Sequence, residues 1–174
     1  MMISNRSASS GSSSLPGDIV DVATRSRMMS GIRGKNTKPE LVVRRELHSM
    51  GFRFRLHDRK LPGRPDIILP KWHAAVLVHG CFWHGHDCNL FRWPGTRVAF
   101  WRQKIEGNRA RDAAAVLSLD AAGWRVLEIW ECSLKGPGRL GSGEVAELAA
   151  AWIRSGAARG EIRGERRPVP DVDT

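Results

Sequence analysis

The stretch from Leu61 to Leu90, LPGRPDIILPKWHAAVLVHGCFWHGHDCNL, constrains this chain more than any other. It holds two of the three cysteines and four of the six histidines, an aspartate just before an apolar run, and an adjacent Phe-Trp pair. Carboxylates, imidazoles and thiolates are each costly to bury without a partner. A fold that gathers them is most simply compensated by a metal ion, or by two.

In C81-F-W-H84-G-H86-D-C88, residues Cys81, His86 and Cys88 share one loop. Zinc takes four nitrogen or sulfur ligands in a tetrahedron, and Cys132, at the end of a predicted strand, would complete a Cys₃His set. By spacing alone His84 competes with His86 for that place. Four protein ligands leave no open position, so the expected role is structural, fixing a loop that would otherwise be floppy. The chain opens without a long apolar segment or an evident cleavage site. With an odd number of cysteines, disulfides are not expected and cytoplasmic residence is.

A second, harder site is predicted beside the first. Asp66-Ile67-Ile68-Leu69 and Ala74-Ala75-Val76-Leu77-Val78 read as two buried strands joined through Pro70 and Lys71. In such a hairpin the start of one strand lies next to the end of the other. Asp66 could therefore hold Mg²⁺ through its carboxylate, with a backbone carbonyl near Val78 as a further oxygen ligand. His79 and His84 flank the same edge, able to move protons or to contact a phosphate. Phosphodiester hydrolysis needs barrier lowering on the order of 20 kcal/mol, and a metal, a base and charge neutralisation are its usual physical route.

The remaining elements frame these sites. T37-K38-P39-E40 fits a capping box, opening a helix that stops at Gly51 with Val43, Leu47 and Met50 inward. Glu40 lies at the end of that apolar face, either as a cap or as a functional carboxylate. Phe52 to Leu56 alternates like an edge strand. A long helix is predicted from about Thr96 to Ala122, then a strand from Arg125 to Trp130, then a helix from Glu144 to Arg154. Upstream, Ala23 to Gly34 suits a short basic helix presenting Met28, Met29 and Ile32. Residues 1–17 read as a disordered Ser/Gly-rich head, 18–156 as one domain, and 157–174 as a basic disordered tail.

Lys and Arg number 28 against 18 Asp and Glu, a net charge of +10 that points to nucleic acid rather than membrane. No stretch is apolar enough to span a bilayer. Phe82 and Trp83, held inside the metal loop, are placed to stack on bases at about 1–3 kcal/mol each. On the long helix Trp101, Lys104, Asn108 and Arg111 share one face, a poor core surface and a good groove surface. Trp124 and Trp130 are expected in the core.

Several of these segments together, L61-P-G-R-P-D66, H79-G-C-F-W-H84, H86-x-C88-x-L-F91, T96-R-x-x-F-W101-x-x-K104-I, N108-x-x-R111-D112, and G123-W-R-V-L with W130-E-C132, resemble the very-short-patch-repair (Vsr) DNA mismatch endonucleases. The likeness spans about Ala23 to Gly136. It implies a restriction-endonuclease-like α/β fold, a central mixed β-sheet flanked by helices on both sides, with a structural zinc. It implies Mg²⁺-dependent nicking of one strand of double-stranded DNA beside a T:G mismatch left by 5-methylcytosine deamination. By motif match Asp66 is the metal-binding carboxylate, and His79 and His84 are the active-site histidines, with His84 the general base or water-orienting group. Glu40 then supports the metal's water shell, and Cys81, His86, Cys88 and Cys132 hold zinc, which assigns His84 elsewhere. Phe82, Trp83 and Trp101 match the intercalating aromatics, Met29 and Ile32 reach the opposite groove, and Lys104 and Asn108 can read the mismatch. The expected working state is a monomer on DNA, with mismatch-repair proteins of the MutL/MutS type as the candidate protein partners.

The chain departs from the pattern in three places. The acidic-x-Lys pair of restriction-type nucleases is absent, with His79 in that region. Val78 stands where a threonine can occur, and Gly85 and Asp87 replace extra histidines in the zinc loop. The competing readings are a restriction-type or less selective nuclease, and a zinc-stabilised DNA-binding module without catalysis.

Overall fold

A computed structural model describes residues 35–165. The expected head, the basic helix with Met29 and Ile32, and the last residues of the tail lie outside that range.

Helix α1, Lys38–Ser49, starts as its sequence dictates. Thr37 Oγ1 accepts from the Glu40 N–H while Glu40 reaches back to the Thr37 N–H, and Pro39 sits in the first turn. The helix ends before Gly51, whose φ of 88° leaves the helical region. Val43 and Leu47 are buried and Met50 packs at the edge of the same cluster.

Strands β1, Ile67–Leu69, and β2, Ala74–His79, form the predicted antiparallel hairpin, joined by a 3₁₀ turn over Pro70–Trp72. Helix α2, Val98–Ala121, carries the chain to β3, Arg125–Trp130, which pairs parallel with β2. A four-residue helix α3, Glu131–Leu134, and helix α4, Ser142–Ser155, lead to β4, Arg159–Ile162, parallel with β3. The sheet is mixed, in the order β1-β2-β3-β4. One face meets Val43 and Leu47 of α1 and Val145, Ala149 and Ile153 of α4. The other meets Val116 and Leu119 of α2 over Ala75, Leu77 and Val126. Helices thus cover both faces, as the resemblance implies.

Three expectations need correction. Phe52 to Leu56 makes a single bridge, Arg55 to Ile68, instead of a strand. Positive φ at Gly51 and His57 breaks the extended run at both ends, and the three-residue β1 offers little edge to pair with. The start of the tail is ordered: Arg159–Ile162 adds a strand and buries Ile162. Polar composition hides this, because the strand is held by its ladder to β3. Gly160 permits the approach, since a Cβ there would lie 2.5 Å from the Trp152 ring. Trp130 is half-buried and stacks on His86 instead of filling the core, whereas Trp124, also half-buried, packs against the Leu77 and Leu119 cluster as expected and stacks on His73.

No described helix is long and apolar enough to cross a membrane.

Candidate active site and metal centre

The hairpin sets Asp66 against the end of β2. Its Oδ2 accepts from the Val78 N–H at 2.8 Å, and its own N–H donates to the Val76 carbonyl at 3.1 Å. Among the described residues Oδ1 has no hydrogen-bond partner, so one oxygen is anchored and the other is left as a ligand atom. Burial pushes the carboxyl up to about 6, and the Glu40 carboxylate adds to that rise against the opposing Val78 N–H. A carboxylate buried at this cost suits a cation.

Glu40 is 3% exposed and satisfied within its own helix. Its oxygens accept from the Asn36 N–H at 2.9 Å and from Arg44 Nη2 at 2.6 Å, besides the cap. Arg44 in turn reaches the Asp66 carbonyl at 3.3 Å. Glu40 therefore acts on Asp66 through Arg44 and through its charge, with no direct hydrogen bond between the two carboxylates.

His79 ends β2 and is 6% exposed. Its ring lies 4.6 Å from that of His84 and 4.9 Å from that of Trp130. Each histidine has a carboxylate of its own. His84 Nδ1 bonds Asp112 Oδ2, and His79 Nε2 lies 3.2 Å from Glu128 Oε1. Asp112 comes from α2 and Glu128 from the middle of β3, and both line a cleft of about 430 Å³ with the two histidines, Arg109 and Arg163. The sequence reading missed both partners. Asp112 stood in a quoted motif without a role. Glu128 carried a readable signal, being the one charge within the otherwise apolar run from Val126 to Trp130.

Cys81, His86, Cys88 and Cys132 converge, each offering a ligand atom within 4.8 Å of the others. Cys132 arrives from the first turn of α3, fifty-one residues from Cys81, because β3 runs parallel beside β2 and ends at the same edge. The Cys132 N–H donates to Cys81 Sγ and the Gly164 N–H to Cys132 Sγ, both at 3.3 Å. His86 Nδ1 lies 3.6 Å from both of those sulfurs. The hydrogen bond between the two thiols pulls Cys132 down to about 6 and pushes Cys81 up. Burial, then Arg163, brings His86 down to about 4. One thiolate-prone sulfur and an imidazole kept neutral are the donor states a metal requires. His84, tied to Asp112, stays outside the cluster.

Phe82, Trp83 and Trp101 form one aromatic group, with ring centroids 5.2–6.1 Å apart. Asn108 donates from Nδ2 to the Trp83 carbonyl at 2.7 Å and accepts from Arg111, so its side chain braces the Trp83 loop. Lys104 is exposed on the same helix. Two aromatics given no role from the sequence, Trp93 and Phe100, are 46% and 42% exposed and lie under Arg102 and Arg97. The surface is basic and aromatic together.

Comparison with known proteins bears on this arrangement. Residues 17–90 match the family model described as DNA mismatch endonuclease Vsr. The chain is 40% identical over 145 residues to the DNA mismatch endonuclease Vsr of Escherichia coli K12, covering 83% of this chain and 93% of that protein. It is 50% identical over 116 residues to the type II nicking enzyme V.XorIIP of Xanthomonas oryzae pv. oryzae, covering 67% and 85%. It is 43% identical over 118 residues to V.NmeAIP, a type II nicking enzyme of Neisseria meningitidis, covering 68% and 84%. With the mixed sheet, the carboxylate and histidine edge and the cysteine knuckle in place, the chain belongs to the Vsr family of DNA mismatch endonucleases.

Proposed function

We propose that this protein is a Mg²⁺-dependent endonuclease that nicks one strand of double-stranded DNA beside a T:G mismatch arising from 5-methylcytosine deamination. The observation that carries the reading is the convergence of Asp66, His79 and His84 at one end of the sheet, next to an aromatic group whose loop is also the cysteine knuckle. Cys81, His86, Cys88 and Cys132 would hold Zn²⁺, and four protein ligands make that role structural. Asp66, with the Val78 carbonyl, would hold Mg²⁺, which supplies charge neutralisation and an acidified water for phosphodiester hydrolysis.

The chain's own residues divide the remaining work. Asp112 accepts from His84 Nδ1, which leaves Nε2 as the basic nitrogen that takes a proton from the attacking water. His79, beside it, faces the scissile phosphate. Glu40 holds Arg44 against the Asp66 backbone and adds negative charge to the cation's surroundings. Phe82, Trp83 and Trp101 enter the duplex. Separating a base step costs a few kcal/mol, less where the pair is mismatched, and the stacking gained is of the same size. Recognition is then selective because the two terms nearly balance. Lys104 contacts the mismatched pair, Asn108 keeps Trp83 in register, and Met29 and Ile32 approach from the other groove.

Duplexes carrying T:G, other mismatches and the fully paired sequence, each with and without Mg²⁺, test the reading. Nicking confined to T:G and dependent on Mg²⁺ is expected. Equal nicking of paired duplexes rules it out.

A further inference from the structure

Glu128 is the one charged residue within the run from Val126 to Trp130. In the parallel register it lies opposite Leu77, and His79 lies opposite Trp130, so Glu128 and His79 share a sheet face one step apart. Its carboxylate meets His79 Nε2 at 3.2 Å. On the other side its register partner is Glu161, a like charge that gives the position no favourable ion pair. Glu161 instead accepts from Trp130 Nε1 at 2.7 Å. Among the described residues, His79 is the hydrogen-bond partner of Glu128, and His79 Nδ1 has none.

We infer that Glu128 is the positioning residue for His79: by accepting from Nε2–H it fixes the tautomer and the ring angle, and so turns Nδ1 toward the scissile phosphate. The inference rests on the proposed role of His79 in strand nicking. His79 and His84 then form two separately braced imidazoles, one held from β3 and one from α2. The rings of His84 and Trp130, 4.6 and 4.9 Å from that of His79, do not distinguish its two nitrogens, and the carboxylate does.

The experiment compares Glu128→Leu, which removes the acceptor, with Glu128→Gln, which keeps an oxygen and loses the charge. Single-turnover nicking of a T:G duplex by the zinc-loaded, full-length protein is the first readout. Leu is expected to slow nicking about 10–100-fold, the usual effect of losing a group that orients a functional histidine. The DNA concentration for half-saturation should stay within about twofold, as for an interaction made in the reacting complex, and Gln should restore most of the rate. Nitrogen-15 spectra of the histidine rings should show Nε2–H on His79 in the parent and in Glu128→Gln, and not in Glu128→Leu. In a His79→Ala background Glu128→Leu should cost nothing more. Glu128→Ala replaces Leu should the latter fail to fold. Parental nicking by Glu128→Leu overturns the inference, as does equal loss in Leu and Gln, or a full further loss on top of His79→Ala. A His79→Ala protein that nicks at the parental rate removes His79 from the reaction and sinks the proposed site itself. Loss in His79→Ala with parental Glu128→Leu sinks only the positioning role.

Discussion

His86 and Trp130 stack face to face, with ring centroids 3.9 Å apart and planes inclined by 8°. Through this contact the cysteine knuckle and the histidine edge share a wall, since Trp130 also neighbours His79 at 4.9 Å. Whatever loosens the knuckle therefore reaches the histidine edge.

Metal removal should show this directly. Structural zinc sites contribute about 10–16 kcal/mol of binding free energy, as much as the whole stability of a typical domain. Stripping zinc with a chelator, or substituting Cys132→Ser, should abolish the cooperative thermal transition and the near-ultraviolet signal of the aromatic group. The parent should carry about one zinc per chain by elemental analysis. A zinc-free protein with an unchanged transition contradicts the assignment.

Asp66 should impose a pH dependence on cation binding. Its carboxyl is raised from the ordinary 3.8 to about 6 by burial. The folded state therefore keeps a proton that the unfolded chain has released, which stabilises the fold below about pH 4 and is lost as pH rises through about 6. Mg²⁺ binding requires the ionised form, so its affinity should fall about tenfold per pH unit below 6 and level off above. Mn²⁺ titration followed by electron paramagnetic resonance at pH 5, 6 and 7.5 measures this. Affinity independent of pH across that window would remove Asp66 as the ligand.

Asp112→Asn should separate chemistry from binding. The amide can offer His84 Nδ1 an N–H, favouring the wrong tautomer, and a general base so disturbed loses about 10²–10⁴-fold in rate. Single-turnover nicking should fall by that order, while DNA affinity from fluorescence anisotropy should change little.

Asn108→Ala should act on the mismatch instead. It releases the Trp83 carbonyl, bonded at 2.7 Å, and lets the wedge move. Affinity for a T:G duplex should weaken by about 1 kcal/mol, with Trp83→Ala costing about 1–3 kcal/mol. Paired DNA should bind nearly as before. Equal loss on both duplexes would make the aromatic group a general DNA contact.

Gly164→Ala tests the C-terminal clasp. A Cβ there would lie 2.2 Å from the Cys132 carbonyl oxygen, a backbone atom that cannot swing away. Stability should drop by about 1–3 kcal/mol, and zinc should leave faster in a chelator competition. Parental melting and zinc release would show that the residues after β4 do not brace the knuckle.

What the sequence determined by itself was local. The capping box at Thr37 and Glu40, the apolar strands around Pro70 and the close spacing of Cys81, His86 and Cys88 each follow from steric or hydrogen-bonding rules, or from chain proximity, that act within a few residues. Even Cys132 was legible, because an unpaired thiol at a strand end had one obvious destination. The tertiary structure decided the rest. Glu128 and Asp112 acquire partners 49 and 28 residues away, fixed by the parallel register of β2 and β3 and by α2 lying across that face. Trp130 looked like a core residue until the sheet placed it at the knuckle. Arg159–Ile162 had no reason to be a strand except the free edge of β3. Backbone hydrogen bonds to a preformed edge are indifferent to side-chain composition, so no reading of composition could have found them.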